Sequence, residues 1–212
     1  MVTEVKVCGL TSVDDAMAAL DCGADCLGFV LYAGSPRHVK PESLPDLVGA
    51  LPPGRAVAVV VNMDPGVIEW LAARCALRAV QFHGDEAPAA ARRLAVDFWR
   101  AVSFRGGAWA PDPAAWNGAE RLVVDASDPK RYGGSGELAD WSAAAKLAAE
   151  RKVMLAGGLT PSNVAAAVRA VRPVGVDVSS GVESAPGRKD RAAVRRFIEE
   201  VRKVEAEHAN EV

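Results

Sequence analysis

Four side chains close or follow short apolar runs, at positions suited to acid–base or anion chemistry: Cys8, Arg37, His83 and Asp125. Cys8 ends Glu4-Val5-Lys6-Val7-Cys8. A thiol there is either a small buried hydrophobe or a base, if positive charge or oriented dipoles favour its thiolate. Asp125 ends Leu122-Val123-Val124-Asp125. It either caps the following turn or points into a pocket, where apolar surroundings would let it serve as an acid near neutral pH. Arg37 lies in Ser35-Pro36-Arg37-His38. It is either a solvated surface group or a guanidinium that forks onto a carboxylate. His83, in His83-Gly84-Asp85-Glu86, either faces a pocket or bonds its own loop.

Two small-residue loops are either tight turns that use glycine for backbone reasons or an anion site. They read Ala156-Gly157-Gly158-Leu159-Thr160-Pro161 and Ser179-Ser180-Gly181-Val182-Glu183. Small residues let backbone N–H groups approach an oxyanion closely. A third such loop is Gly133-Gly134-Ser135-Gly136. Cys22 and Cys26 are spaced C-x3-C, but no second Cys/His pair stands at metal-ligand spacing, so no metal site is expected.

The elements that must position these groups are short runs at residues 4–8, 26–32, 55–62, 78–82, 98–103, 121–125, 152–156 and 175–179. Most are continuously apolar, as suits parallel strands covered on both faces. Helical segments alternate with them. Ser12 is an N-cap with Asp15 three residues on, and Gly23 is a stop. Asp64-Pro65 and Thr160-Pro161 each open a helix, and a last helix runs from about Asp190 to Glu205. The Gly-, Pro- and Trp-rich stretch 106–118 supports no full helix.

Strict strand–helix alternation means repeated right-handed βα units. Eight units in 212 residues leave about 26 residues each, near the lower size limit of a (β/α)8 barrel. The rival doubly wound sheet would carry a glycine fingerprint after its first strand. Cys8-Gly9-Leu10-Thr11 is not that fingerprint. No linker or low-complexity tract divides the chain, so residues 1–212 read as one barrel domain. In such barrels the active site lies at the C-terminal ends of the strands, with phosphate held after strands seven and eight. Cys8, Arg37, His83, Asp125 and the small-residue loops after strands seven and eight fall on that face.

Composition excludes several classes. The net charge of −2 exerts no general pull on nucleic acid or acidic membranes. The N-terminus lacks a signal-peptide pattern, no apolar run approaches the ~20 residues that span a bilayer, and four cysteines are no disulfide scaffold. A cytoplasmic protein is expected, with oligomeric state left open, a homodimer included.

Taken in order, these segments resemble the phosphoribosylanthranilate isomerase family. The resemblance rests on Lys6-Val7-Cys8-Gly9-Leu10-Thr11, Ser35-Pro36-Arg37, Gln81-Phe82-His83-Gly84, Val124-Asp125-Ala126, Leu155 to Val164, and Val176 to Glu183. It departs mildly, with Phe82 for the usual Leu, Val7 for Ile and Ser135 for Thr, and is weakest over 104–119. It implies an Amadori rearrangement of N-(5-phosphoribosyl)anthranilate in tryptophan biosynthesis, without a cofactor. It further implies Asp125 as general acid, Cys8 as general base and Arg37 at the anthranilate carboxylate; a cysteine base in turn needs a substantial thiolate fraction, hence a depressed pKa. Gly157, Gly158, Ser180 and Gly181 match the phosphate site, and His83 a pocket residue. A related imidazole ribotide isomerase would be expected to place an acid at position 8. A non-catalytic phosphosugar-binding barrel would keep the loops without needing both Cys8 and Asp125.

Overall fold

A computed structural model describes residues 2–91, 93–126 and 138–210. The apolar runs form eight parallel strands: β1 (Glu4–Cys8), β2 (Cys26–Val30), β3 (Ala56–Val60), β4 (Leu77–Phe82), β5 (Phe98–Arg105), β6 (Arg121–Val124), β7 (Val153–Leu155) and β8 (Gly175–Val178). Each pairs with the next, and β8 pairs with β1 through Val5↔Val176 and Lys6↔Asp177, so the sheet closes into a barrel.

Strand side chains alternate between two faces. Outward residues such as Val5, Val7, Leu27, Phe29, Val80, Phe82, Leu122 and Val176 join the main apolar layer beneath the helices. Inward residues form a second, smaller cluster that includes Val57, Ala79, Trp99, Val123 and Met154. The same alternation turns Lys6 and Cys8, Gln81 and His83, and Asp125 and Asp177 toward the barrel axis.

Six α-helices are described: α1 (Val13–Asp21), α2 (Leu44–Gly49), α3 (Pro65–Arg74), α4 (Trp141–Ala148), α5 (Val164–Val171) and α6 (Arg191–Asn210). Ser12 caps α1 by accepting from Asp15 N, and the helix gives way at Gly23, whose φ is +101°. Asp64 caps α3 through Gly66 N and Val67 N, with Pro65 in the first turn. Asp190 caps α6 through Ala192 N and Ala193 N.

Two expectations are corrected. Helices do not alternate throughout: single 3-10 turns, Pro88–Ala91 and Pro113–Trp116, follow β4 and β5. After β5 the chain first makes a hairpin, in which Ala108–Ala110 runs antiparallel to the end of the strand. Thr160-Pro161 does not open α5, which begins three residues further on at Val164. Asn163 instead ties down the preceding turn, accepting from Thr160 N at 2.8 Å and donating to Gly158 O at 2.9 Å.

Candidate active site

The C-terminal rim of the barrel encloses a cavity lined by Cys8, Arg37, His83, Asp125, Gly157, Gly158, Ser180 and Gly181, among others. Every site residue expected from the sequence therefore reaches one cavity. The Gly133-Gly134-Ser135-Gly136 loop lies outside the described residues.

Cys8 is the last residue of β1 and is buried. Gly28, its register partner on β2, makes room for it. A Cβ at Gly28 would stand 2.6 Å from Cys8 Sγ and 3.0 Å from its Cα, so a side chain there would displace the thiol. Burial pushes the Cys8 thiol above its ordinary pKa, and Lys6 and Lys189 only partly oppose this. A thiol acting as a base is expected to have a depressed pKa, and burial in this cavity acts in the opposite direction. A water-poor lumen costs the thiolate more than two nearby ammonium groups return.

Asp125 follows β6, its backbone N–H donating to Val102 O. Its Oδ2 lies 3.5 Å from His83 Nε2. His83 Nδ1 faces Gln81 Nε2 at 3.4 Å. An amide nitrogen only donates. Donation from the amide suits the tautomer whose Nδ1 accepts, which leaves Nε2 facing Asp125. Burial pushes the His83 pKa down, and Lys6 and Arg100 act in the same direction against Asp125. Burial thus favours the uncharged imidazole, against the pull of the neighbouring carboxyl group.

The loop that carries His83 is braced from below. Arg100, buried on the outer face of β5, donates to Gly84 O at 2.6 Å and to Glu86 Oε2 at 3.0 Å, and lies over the Trp116 ring at 4.7 Å. Glu86 in turn accepts from Asn62 N and Gly84 N.

Arg37 stands at the rim, but its fork is turned toward the protein. Nε and Nη2 donate to Glu183 Oε1 and Oε2 at 2.8 and 2.7 Å. Lys189 Nζ donates to the same carboxylate at 2.7 Å and to Ser179 O at 3.2 Å. Hydrogen bonding to Glu183 holds the Arg37 proton more tightly than usual. Burial works against the Glu183 carboxylate, yet its bonds to Arg37 and Lys189 hold it below the ordinary carboxylate range. The guanidinium is thereby fixed at the mouth of the cavity.

The two glycine loops meet across the rim. Gly157 and Gly158 are both left-handed, with φ of +77° and +62°, the backbone concavity that suits an oxyanion. Gly181 packs so closely on the opposite loop that a Cβ there would lie 2.0 Å from Leu159 O.

One group escaped the sequence reading. Lys6 is fully buried, and its Nζ donates to Asp177 Oδ2 at 2.7 Å across the β1–β8 seam. The signal lay in the two runs Val5-Lys6-Val7 and Val176-Asp177-Val178. A lone charge inside a strand covered on both faces must turn inward and find an opposite partner.

Comparison with known proteins agrees with this geometry. A protein family described as N-(5'phosphoribosyl)anthranilate (PRA) isomerase matches residues 5–200. The N-(5'-phosphoribosyl)anthranilate isomerase of Trichlorobacter lovleyi is 45% identical over 197 residues, covering 92% of this chain and 96% of that protein. Monomers generated from the dimeric phosphoribosylanthranilate isomerase of Thermotoga maritima superpose with a TM-score of 0.81 at 33% identity, over 95% of this chain and 100% of theirs. A phosphoribosylanthranilate isomerase crystallised with reduced 1-(o-carboxyphenylamino)-1-deoxyribulose 5-phosphate superposes with a TM-score of 0.77 at 32% identity, over 95% and 100% of the two chains. Near-complete coverage in sequence and in structure, on a barrel whose rim gathers the expected thiol, carboxyl and glycine loops, fixes the assignment: the chain belongs to the N-(5'-phosphoribosyl)anthranilate isomerase family.

Proposed function

We propose that this barrel converts N-(5'-phosphoribosyl)anthranilate into 1-(o-carboxyphenylamino)-1-deoxyribulose 5-phosphate, in tryptophan biosynthesis. The observation that carries the reading is the convergence of Cys8, Asp125 and both glycine loops on one cavity. The bound molecule of the related crystal structure, a reduced form of that product, is a ligand of the size and charge such a cavity would take.

The phosphate sits against Gly157, Gly158, Ser180 and Gly181, where small residues admit it to the backbone. Arg37, anchored by Glu183, presents positive charge to the anthranilate carboxylate at the rim. Asp125 protonates the ring oxygen as the C1–O bond breaks, and the anilino nitrogen lone pair forms the C1=N iminium. His83 Nε2 then faces the carboxylate left behind. The iminium makes the C2 proton acidic, and the Cys8 thiolate removes it. The C2–H electron pair moves into C1–C2, giving an enolamine that tautomerises to the ketone. The iminium is itself the electron sink, so the chemistry requires no cofactor.

The whole chain, residues 1–212, is taken as the single barrel domain that performs this reaction. Its four free cysteines suit a reducing compartment, and we place the reaction in the cytoplasm. No described helix is long and apolar enough to cross a membrane. The dimeric Thermotoga maritima relative makes a homodimer the assembly to test first.

The test is decay of anthranilate fluorescence with freshly generated substrate. The wild-type protein should accelerate the decay far beyond the spontaneous rate. Decay at the spontaneous rate with folded protein, or turnover of an imidazole ribotide instead, would contradict the proposal.

A further inference from the structure

Neither anion binding nor direct proton transfer to the substrate accounts for Lys6. It lies two residues before Cys8 on the inward face of β1, and its side chain has no exposed surface. Taking an ammonium out of water is costly, and a buried ion pair replaced by apolar residues of similar volume is often no less stable. Stability alone thus gives weak reason for the Lys6–Asp177 pair. Nor is the pair self-contained, since Asp177 Oδ1 is buried without a hydrogen-bond partner among the described residues. Both the thiol and Asp177 line the same cavity.

Resting on the reading of Cys8 as the base, we propose that Lys6 is its positioning residue: the Lys6 ammonium is the counter-ion of the Cys8 thiolate, and Asp177 holds that ammonium in place while the thiol is protonated. The charged groups around the thiol come from several strands and loops. Lys6 and Lys189 favour the thiolate and Asp177 opposes it, with Lys6 acting more strongly than Asp177. Arg37 also feels the thiol, but it is forked onto Glu183. Lys189 is likewise committed to Glu183 and Ser179 O. Lys6 further acts on His83 and Cys26. Burial works against the Lys6 ammonium, but Asp177 and Cys8 together hold its proton more tightly than an ordinary lysine's. The 2.7 Å ion pair with Asp177 favours the charged form of Lys6 whether or not the thiol is ionised. In the proposed step the C2–H bond breaks and the S–H bond forms. Thiolate and iminium disappear together as thiol and enolamine, and the Lys6–Asp177 pair keeps its charges throughout.

The test is alkylation of Cys8 by iodoacetamide across a pH series, read by peptide mass spectrometry so that Cys22, Cys26 and Cys75 are resolved separately. Below the thiol's pKa, the rate follows the thiolate fraction. Lys6→Met should slow Cys8 alkylation by on the order of tenfold or more, a shift of about one pKa unit, and should displace the pH profile upward. Lys6→Arg, which keeps the charge, should slow it less. Lys6→Met leaves Asp177 alone in the lumen, so Lys6→Met/Asp177→Asn serves as a second variant and should still be slowed, though by less, because the opposing Asp177 charge is removed too. An unchanged rate and pH profile in a folded Lys6→Met or double variant would overturn the proposal. Turnover of Cys8→Ala is measured separately: full turnover there would remove Cys8 as the base while leaving the alkylation result intact.

Discussion

At the scale of single residues, the site works by pairing groups whose burial would otherwise neutralise them. Glu183 shows this best. It is buried, yet bonds to Arg37 and Lys189 keep it ionised. Its folded pKa lies below the unfolded value, so its stabilisation is present above about pH 4 and fades as pH falls through the folded pKa. Glu183→Gln should accordingly lower stability at neutral pH by about 1–3 kcal/mol. The deficit against wild type should shrink once acid protonates Glu183 in both states. Thermal unfolding of the two proteins across that range checks this, and a deficit that grew on acidification would refute it. Catalysis should suffer too, because Arg37 loses the charged partner of its fork. Arg37 itself was legible in the sequence, whereas its Glu183 anchor, 146 positions away, was not. No local pattern joins two loops that meet only when β1 pairs with β8.

At the scale of elements, close backbone approach brings together the two glycine loops proposed to hold phosphate. A methyl group at position 181 would collide with Leu159 O at 2.0 Å, so the loop after β8 would have to retreat from the loop after β7. Gly181→Ala should therefore raise KM on the order of tenfold, about 1.4 kcal/mol, and leave the fold intact. Steady-state kinetics with circular dichroism as the fold control would show this, and an unchanged KM would mean that the two loops do not jointly hold phosphate. The strands, α1 and α3 were readable because their signals are local. They are apolar runs, the Ser12 and Asp64 caps, and Pro65 in a first turn. The missing helices after β4 and β5 were only half readable. The Gly- and Pro-rich stretch 106–118 argued against a helix, but nothing announced the hairpin that replaces it. Asn163 misled for another reason. Thr160-Pro161 has the form of a helix start, yet Asn163 bonds back to Gly158 O and spends that turn on the glycine loop.

At the scale of the whole molecule, closing the barrel is what turns separate motifs into a site. The β8–β1 seam sets Asp177 beside Lys6, and the closed ring brings strand ends from β1, β4 and β6 around one axis. Cys8, His83 and Asp125 therefore share a cavity although 117 positions separate the first from the last. On the proposed reading, the thiol and the carboxyl group at that rim form one acid–base pair. Turnover of N-(5'-phosphoribosyl)anthranilate by the wild type, Cys8→Ala and Asp125→Asn, with product-analogue binding measured on each, tests this most directly. Each variant should lose roughly 10²–10⁴-fold in kcat while still binding the analogue. Near-normal turnover by either folded variant would contradict the account.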